Sequence, residues 1–182
     1  MKKRISTFLL ALLAALTLTV PAWAETQPGD ALIYDTESLL TDGERQQLES
    51  LADQITWQYD CAVYVVTIYD YEQYADGVYE AACTIYNDYD FGIGEDRDGA
   101  LLLVAMDTRD WYIATHGFGI TAITPAGREA MVDRFLPQLS NAEYAAAFST
   151  FAEECEDYVN QARDGSAYDT GDLPDEPFEA PG

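Results

Sequence analysis

Apolar and polar positions along this chain follow two periods, and each change of period marks an element. Leu48, Leu51, Ala52, Ile55 and Tyr59 recur at helical spacing. They follow Thr41-Asp-Gly-Glu44, a capping box, so a helix is predicted from there to about Tyr59. Residues Cys61–Ile68, CAVYVVTI, are β-branched and almost wholly apolar, which predicts a strand covered on both faces. Tyr74, Val78, Ala81, Ala82, Ile85 and Tyr89 return to helical spacing and predict a second helix, stopped by Gly92 and Gly94. Residues Ala100–Met106 read as another buried strand, Asp107–Asp110 as a turn, and Trp111–His116 as the returning strand of a hairpin. Thr124 reads as an N-cap with Pro125 at the first helical position, opening a helix to about Leu136. Asn141 is expected to cap a last helix to about Arg163, with Tyr144, Phe148, Phe151, Cys155 and Val159 on one side. If Ala31–Tyr34 is a short first strand, the order is β, α, β, α, β, β, α, α. That order predicts a single α/β domain: one mixed sheet of about four strands, sandwiched by helices.

The two ends of the chain fall outside this pattern. Lys2, Lys3 and Arg4 precede an apolar run, Ile5 to Val20, and Ala22-Trp23-Ala24 is an A-x-A cleavage site. Residues 1–24 therefore read as a signal peptide cleaved after Ala24, with an uncleaved signal anchor as the alternative. The protein is expected outside the cytoplasm, secreted or at the cell surface. The folded domain is expected over residues 25–163. From Asp164 to Gly182 the chain is rich in Gly, Ser, Pro, Asp and Glu and reads as a disordered acidic tail.

Charge narrows the set of partners. Loss of the first 24 residues removes three of nine basic residues and none of the 33 acidic ones, leaving six arginines and a net charge of −27. Such a surface repels phosphate backbones and anionic membranes, so nucleic acid and direct membrane binding are not expected. It attracts cations and favours a soluble monomer. Three cysteines, Cys61, Cys83 and Cys155, leave at least one thiol unpaired or intermolecular. Cys61 and Cys155 read as small buried hydrophobes, and a Cys83–Cys155 bridge between two helices is the alternative.

Candidate chemistry concentrates in residues 87–119. Glu95, Asp96 and Asp98 crowd an acidic loop with Gly92 and Gly94, and glycines let nearby carbonyls turn inward. Calcium takes six to eight oxygen ligands, and magnesium, which keeps its waters, suits the loop less well. Asp35, at the end of the first strand, is expected to converge with Glu95, Asp96 and Asp98 on one divalent site. The loop is not an EF-hand, because counting back from Gly99 puts Gly94 and Ala105 where carboxylates are required. A solvated Asp-Gly turn before a strand is the plainer account of the same residues. For phosphoester hydrolysis, Asp98 or Asp96 would hold the metal and Arg109 would clamp the phosphate, while Arg97 pairs with its neighbours. His116, the sole histidine, reads as a hydrogen-bonded strand-end residue, and its alternative role is general base.

Taken together, these residues resemble the TPM domain family. Tyr34-Asp35-x-x-x-Leu39-Leu40 resembles its opening motif, and CAVYVVTI its first core strand. Gly92-Ile-Gly94 followed by Asp98-Gly99-Ala-Leu-Leu-Leu resembles its glycine loop and following strand, and Arg109 to Gly119 its hairpin exit. The resemblance spans about residues 31–162. It implies an α/β sandwich outside the cytoplasm, with weak metal-assisted acid phosphatase activity in some members. It also implies calcium binding in some, and membrane-protein repair or receptor modulation in others. Relatives usually read G-L-E-G-x-L-T-D after the Gly-x-Gly. Here Gly119-Ile-Thr-Ala-Ile-Thr-Pro-Ala lacks both carboxylates. The sequence therefore points first to a non-enzymatic accessory or binding module of the cell envelope, with an envelope protein as partner. The alternative is a metal-assisted acid phosphatase.

Overall fold

The structure is a computed structural model and describes residues 31–165. The expected signal peptide and all but the first two residues of the expected acidic tail lie outside the described residues. The elements are β1 (Ile33–Asp35), α1 (Asp42–Tyr59), β2 (Ala62–Ile68), α2 (Val78–Asp88), β3 (Gly99–Ala105), β4 (Asp110–His116), α3 (Phe118–Ala122), α4 (Pro125–Ser140) and α5 (Tyr144–Arg163). The strands form one mixed sheet in the order β1-β2-β3-β4, with β1, β2 and β3 parallel and β4 antiparallel to β3.

The register sorts the side chains onto two faces. Ile33, Val65, Leu102 and Ile113 stand abreast on one face, and Tyr34, Val66, Leu103 and Tyr112 on the other. Helices α1, α4 and α5 cover the first face, where Trp111 of β4 meets Phe135 of α4 edge-on and Phe135 meets Phe151 of α5. Helix α2 covers the second through Tyr86 against Tyr64. Both layers seal the middle, so every residue of β2 and β3 is buried. This double cover is why the two strands read as unbroken apolar runs. The parallel crossovers through α1 and α2 step the same way along the sheet but cover opposite faces, so they have opposite hands.

The same layering excludes the alternative bridge between Cys83 and Cys155. Cys83 sits on α2 and Cys155 on α5, with the sheet between them, and all three cysteines are free. Cys61 and Cys155 are fully buried. Burial, with the Asp98 carboxylate adding to it, pushes the Cys61 thiol up to about 12, so it stays protonated.

Helix ends differ most from expectation. Thr41 and Glu44 close the capping box of α1 as predicted. Helix α2 starts at Val78, because Tyr74 belongs to a turn closed by its amide on the Tyr71 carbonyl. It ends before Gly92 in a Schellman motif: Phe91 N–H reaches Tyr86 O, Asp90 N–H reaches Asn87 O, and Asp90 takes the left-handed φ of 53°. Helix α4 runs through Pro137 to Ser140. Pro137 has no amide to donate to the Asp133 carbonyl, and Asp133 is exposed, so that acceptor is open to water. Asn141 ends α4 rather than starting α5, since Glu143 N–H bonds Gln138 O and Ala142 N–H bonds Leu139 O. The short helix α3 has no counterpart in the apolar pattern.

Gly43 stands in the first turn of α1 with no heavy atom within 4 Å of where a Cβ would lie. Gly43→Ala is therefore expected to stabilise the domain by about 0.5–1 kcal/mol, through helix propensity and a less flexible unfolded chain. A urea denaturation midpoint that falls would contradict this.

Candidate functional site

The residues singled out by sequence lie at two opposite ends of the sheet. At the amino ends of β2 and β3, the loop from Phe91 to Asp98 closes on itself. Ile93 and Asp98 form an antiparallel bridge, and the Asp98 carbonyl also accepts from Ala62 N–H. Arg97 holds the loop from inside. Its Nε donates to Phe91 O at 2.9 Å, its guanidinium donates to Tyr86 O at 2.6 Å, and it pairs with Asp90 at 3.5 Å. Arg97 thus pairs with its neighbours, as read from the sequence.

Asp98 is committed to the fold. Its Oδ1 accepts the Phe118 amide at 2.6 Å, tying the loop to the start of α3. Glu95 and Asp96 are exposed beside it. His116 Nδ1 lies 3.0 Å from Asp96 O; a carbonyl can only accept, so Nδ1 carries the proton. The imidazole stacks on Tyr86 at 5.4 Å. His116 is therefore a strand-end residue bonded to the acidic loop.

Asp35 stands at the other end of the sheet. It pairs in register with Thr67, whereas Asp98 precedes Gly99, which pairs with Ala62. The Asp35 carboxylate accepts Leu39 N–H (3.0 Å), Leu40 N–H (2.8 Å) and the Thr67 hydroxyl (2.7 Å). The Asp-x-x-x-Leu-Leu opening is thus a local cap that turns the chain from β1 toward α1. The expected convergence of Asp35 with Glu95, Asp96 and Asp98 on one calcium or magnesium ion is corrected by this geometry. Two of the four carboxylates are engaged by amides, and a strand's length separates them. Among the described residues no group of three or more His, Cys, Asp or Glu side chains is arranged to hold a metal ion. Asp35 therefore does not share a site with Glu95, Asp96 and Asp98.

The proposed catalytic pair separates in the same way. Asp98 precedes β3 and Arg109 follows it in the hairpin turn, roughly 20 Å apart at the rise of a seven-residue strand. Adjacency in sequence hid this, because the strand between them runs the full height of the sheet.

Arg109 instead lines a cleft of about 260 Å³ with Val104, Met106, Trp111, Leu136, Leu139, Ser140 and Tyr144. The cleft lies where the β3–β4 turn meets the end of α4 and the start of α5. Its wall was missed in the sequence, although Trp111 on the Ile113 face of β4 and Leu136/Leu139 at helical spacing were visible there. Arg109 is exposed, has a φ of 62°, and makes no hydrogen bond or ion pair among the described residues. The neighbouring carboxylates, Asp107 and Asp110, do not line the cleft; the Tyr69 phenol is raised mainly by Asp107, and the Tyr71 phenol mainly by desolvation, with Asp110 adding to it.

Among the described residues no helix is long and apolar enough to cross a membrane. No curated protein matches the chain. Solved structures of similar fold include the N-terminal domain of a P. gingivalis protein, with a TM-score of 0.60 and 19% identity, covering 74% of this chain and 92% of that domain. The N-terminal domain of cg2496 from Corynebacterium glutamicum gives 0.56 and 13%, covering 82% and 90%. BA42 from the psychrophilic Bizionia argentinensis gives 0.60 and 12%, covering 78% and 94%. At these identities the likeness concerns the fold alone. A family model described as the TPM domain matches residues 33–158, which span all four strands and most of α5. With the Asp35 cap, the Gly92–Asp98 loop and the Gly117-Phe-Gly119 exit in their places along that match, the chain belongs to the TPM domain family.

Proposed function

We propose that this TPM domain is exported and serves as a non-enzymatic binding module at the cell envelope, engaging an envelope protein. One observation carries the reading. The Asp98 carboxylate is bonded to the Phe118 amide, and the full length of β3 separates it from Arg109, so the two residues best suited to phosphoester chemistry share no site. The basic and apolar start of the chain supports export, and the acidic composition suits a soluble module that meets its partner outside the cytoplasm. The second reading, a metal-assisted acid phosphatase, draws on the exposed Glu95 and Asp96 beside Asp98. It requires Asp98 to leave the Phe118 amide and a separate cation to replace Arg109.

The test is a phosphoester hydrolysis assay of the purified protein with calcium, magnesium or manganese, beside Asp98→Ala. No metal-dependent turnover is expected. Asp98→Ala is expected to lose about 1.5–3 kcal/mol of stability, the worth of a hydrogen bond to a charged group, with calcium heats unchanged. Saturable calcium binding and turnover, both lost in Asp98→Ala, would replace this reading with the phosphatase.

A further inference from the structure

We infer that the cleft beside Arg109 binds the C-terminal residue of a partner polypeptide. The apolar side chain enters the cleft and the α-carboxylate meets the Arg109 guanidinium. This rests on the binding-module reading and names its ligand.

Arg97, Arg134 and Arg163 are all engaged: Arg97 by loop carbonyls, Arg134 by Glu154, and Arg163 by the carbonyls of Tyr59 and Asp60. Arg109 has no such partner among the described residues and stands at a cleft. It also occupies a left-handed backbone position, which favours glycine or asparagine, so the backbone gains nothing from an arginine there. The wall beneath it carries Val104, Trp111, Leu136 and Leu139, and neither of the neighbouring carboxylates, Asp107 and Asp110, lines the cleft. The ligand is therefore apolar with a carboxylate at one end.

Net charge and size restrict it further. A polyanion would be repelled by a protein carrying 33 acidic residues, whereas a chain terminus behind an apolar residue brings one negative charge. The cleft, about 260 Å³, falls below the roughly 300–1,000 Å³ that encloses a drug-sized molecule, so it takes one residue and leaves the rest outside. Trp111 lies on β4, an edge of the sheet, whose only strand neighbour among the described residues is β3. An extended peptide leaving the cleft therefore meets a strand with unpaired main-chain groups, a recurring mode of terminal-peptide capture.

The experiment titrates the full-length purified protein with acetyl-Gly-Ser-Gly-Ser-Gly-Leu as the free acid, the same peptide as its C-terminal amide, and N-acetyl-leucine. Binding is followed by NMR at the Trp111 indole and the Leu136 and Leu139 methyls. The free acid is expected to bind saturably and at least tenfold more tightly than the amide or N-acetyl-leucine. Arg109→Gly is expected to erase the preference for acid over amide while keeping the folded spectrum, since glycine suits that φ. Arg109→Lys is expected to keep part of the preference. Equal binding of acid and amide, or no shift at these residues at millimolar acid, would overturn the proposal. N-acetyl-leucine binding as tightly as the peptide would overturn it in favour of a free carboxylate ligand. The phosphoester assay is independent of all three arms, so loss of this ligand and loss of the binding-module reading are distinguishable.

Discussion

Phe91→Ala is expected to cost about 4 kcal/mol of stability, read as a large fall in the urea denaturation midpoint. Phe91 is 1% exposed. Its ring stacks on Tyr64 at 4.1 Å and meets Tyr34, Tyr86 and Tyr89 at 5.3, 5.9 and 5.6 Å. Truncation removes the whole ring from this cluster, and the rigid sheet on one side and α2 on the other prevent the site from collapsing. The main chain of Phe91, which alanine keeps, ties this cluster to the loop, because its amide closes the end of α2 and its carbonyl accepts from Arg97. The acidic loop is therefore expected to loosen together with the core, seen as faster amide exchange from Gly92 to Asp98. Phe91→Leu keeps most of the buried volume and is expected to cost less than half as much. A loss under about 1 kcal/mol for Phe91→Ala would mean that the loop is not anchored through this ring.

This anchoring explains how the sequence conveyed the fold better than the site. Strands β2 and β3 were legible because both their faces are covered, so neither needs a polar alternation that could be mistaken for something else. Thr41 with Glu44 and Thr124 with Pro125 were legible because a cap is a local bond between near neighbours. The ends of α2 and α4 were not, because Asp90 and Ala142 take the left-handed position that glycine usually fills. The acidic loop misled for a physical reason. Its carboxylates look like free ligands in one dimension, but ligands of open α/β sheets gather at the carboxyl ends of the strands, and this loop precedes β3. Asp35 and Arg109 do lie at the carboxyl end. There Asp35 is bonded by two amides and a hydroxyl, while Arg109 is exposed beside a cleft. Telling a capping carboxylate from a free one, or a hairpin arginine from a cleft arginine, requires contacts between residues distant in sequence.

The Gly117-Phe-Gly119 exit supplies the second large effect. Gly119→Ala is expected to cost about 3 kcal/mol, at the upper end of overpacking penalties. A Cβ at Gly119 would lie 2.3 Å from the carbonyl oxygen of Gly99 and 3.0 Å from its carbonyl carbon. Both atoms belong to the main chain of β3, which cannot move aside as a side chain would. Gly99 is itself confined, since its own Cβ would meet the Tyr86 hydroxyl at 2.6 Å and Ala62 O at 2.9 Å. Relief must therefore come from lifting α3 off the strand, which also pulls Phe118 N–H from Asp98. Ordinary helix propensity would make the same change favourable by up to about 1 kcal/mol, as expected at Gly43, so the sign separates the two positions. The neighbouring Gly117 adds a second constraint, with a φ of 55° and a Cβ that would fall 2.1 Å from Asp98 Oδ1. Calorimetric melting of Gly119→Ala beside Gly43→Ala reads both signs in one experiment. A Gly119→Ala protein as stable as its parent would mean that α3 can lift from β3 at little cost. A strong loss, with the Arg109 cleft still binding its peptide well below the melting temperature, places the motif's work in holding the amino end of the sheet together.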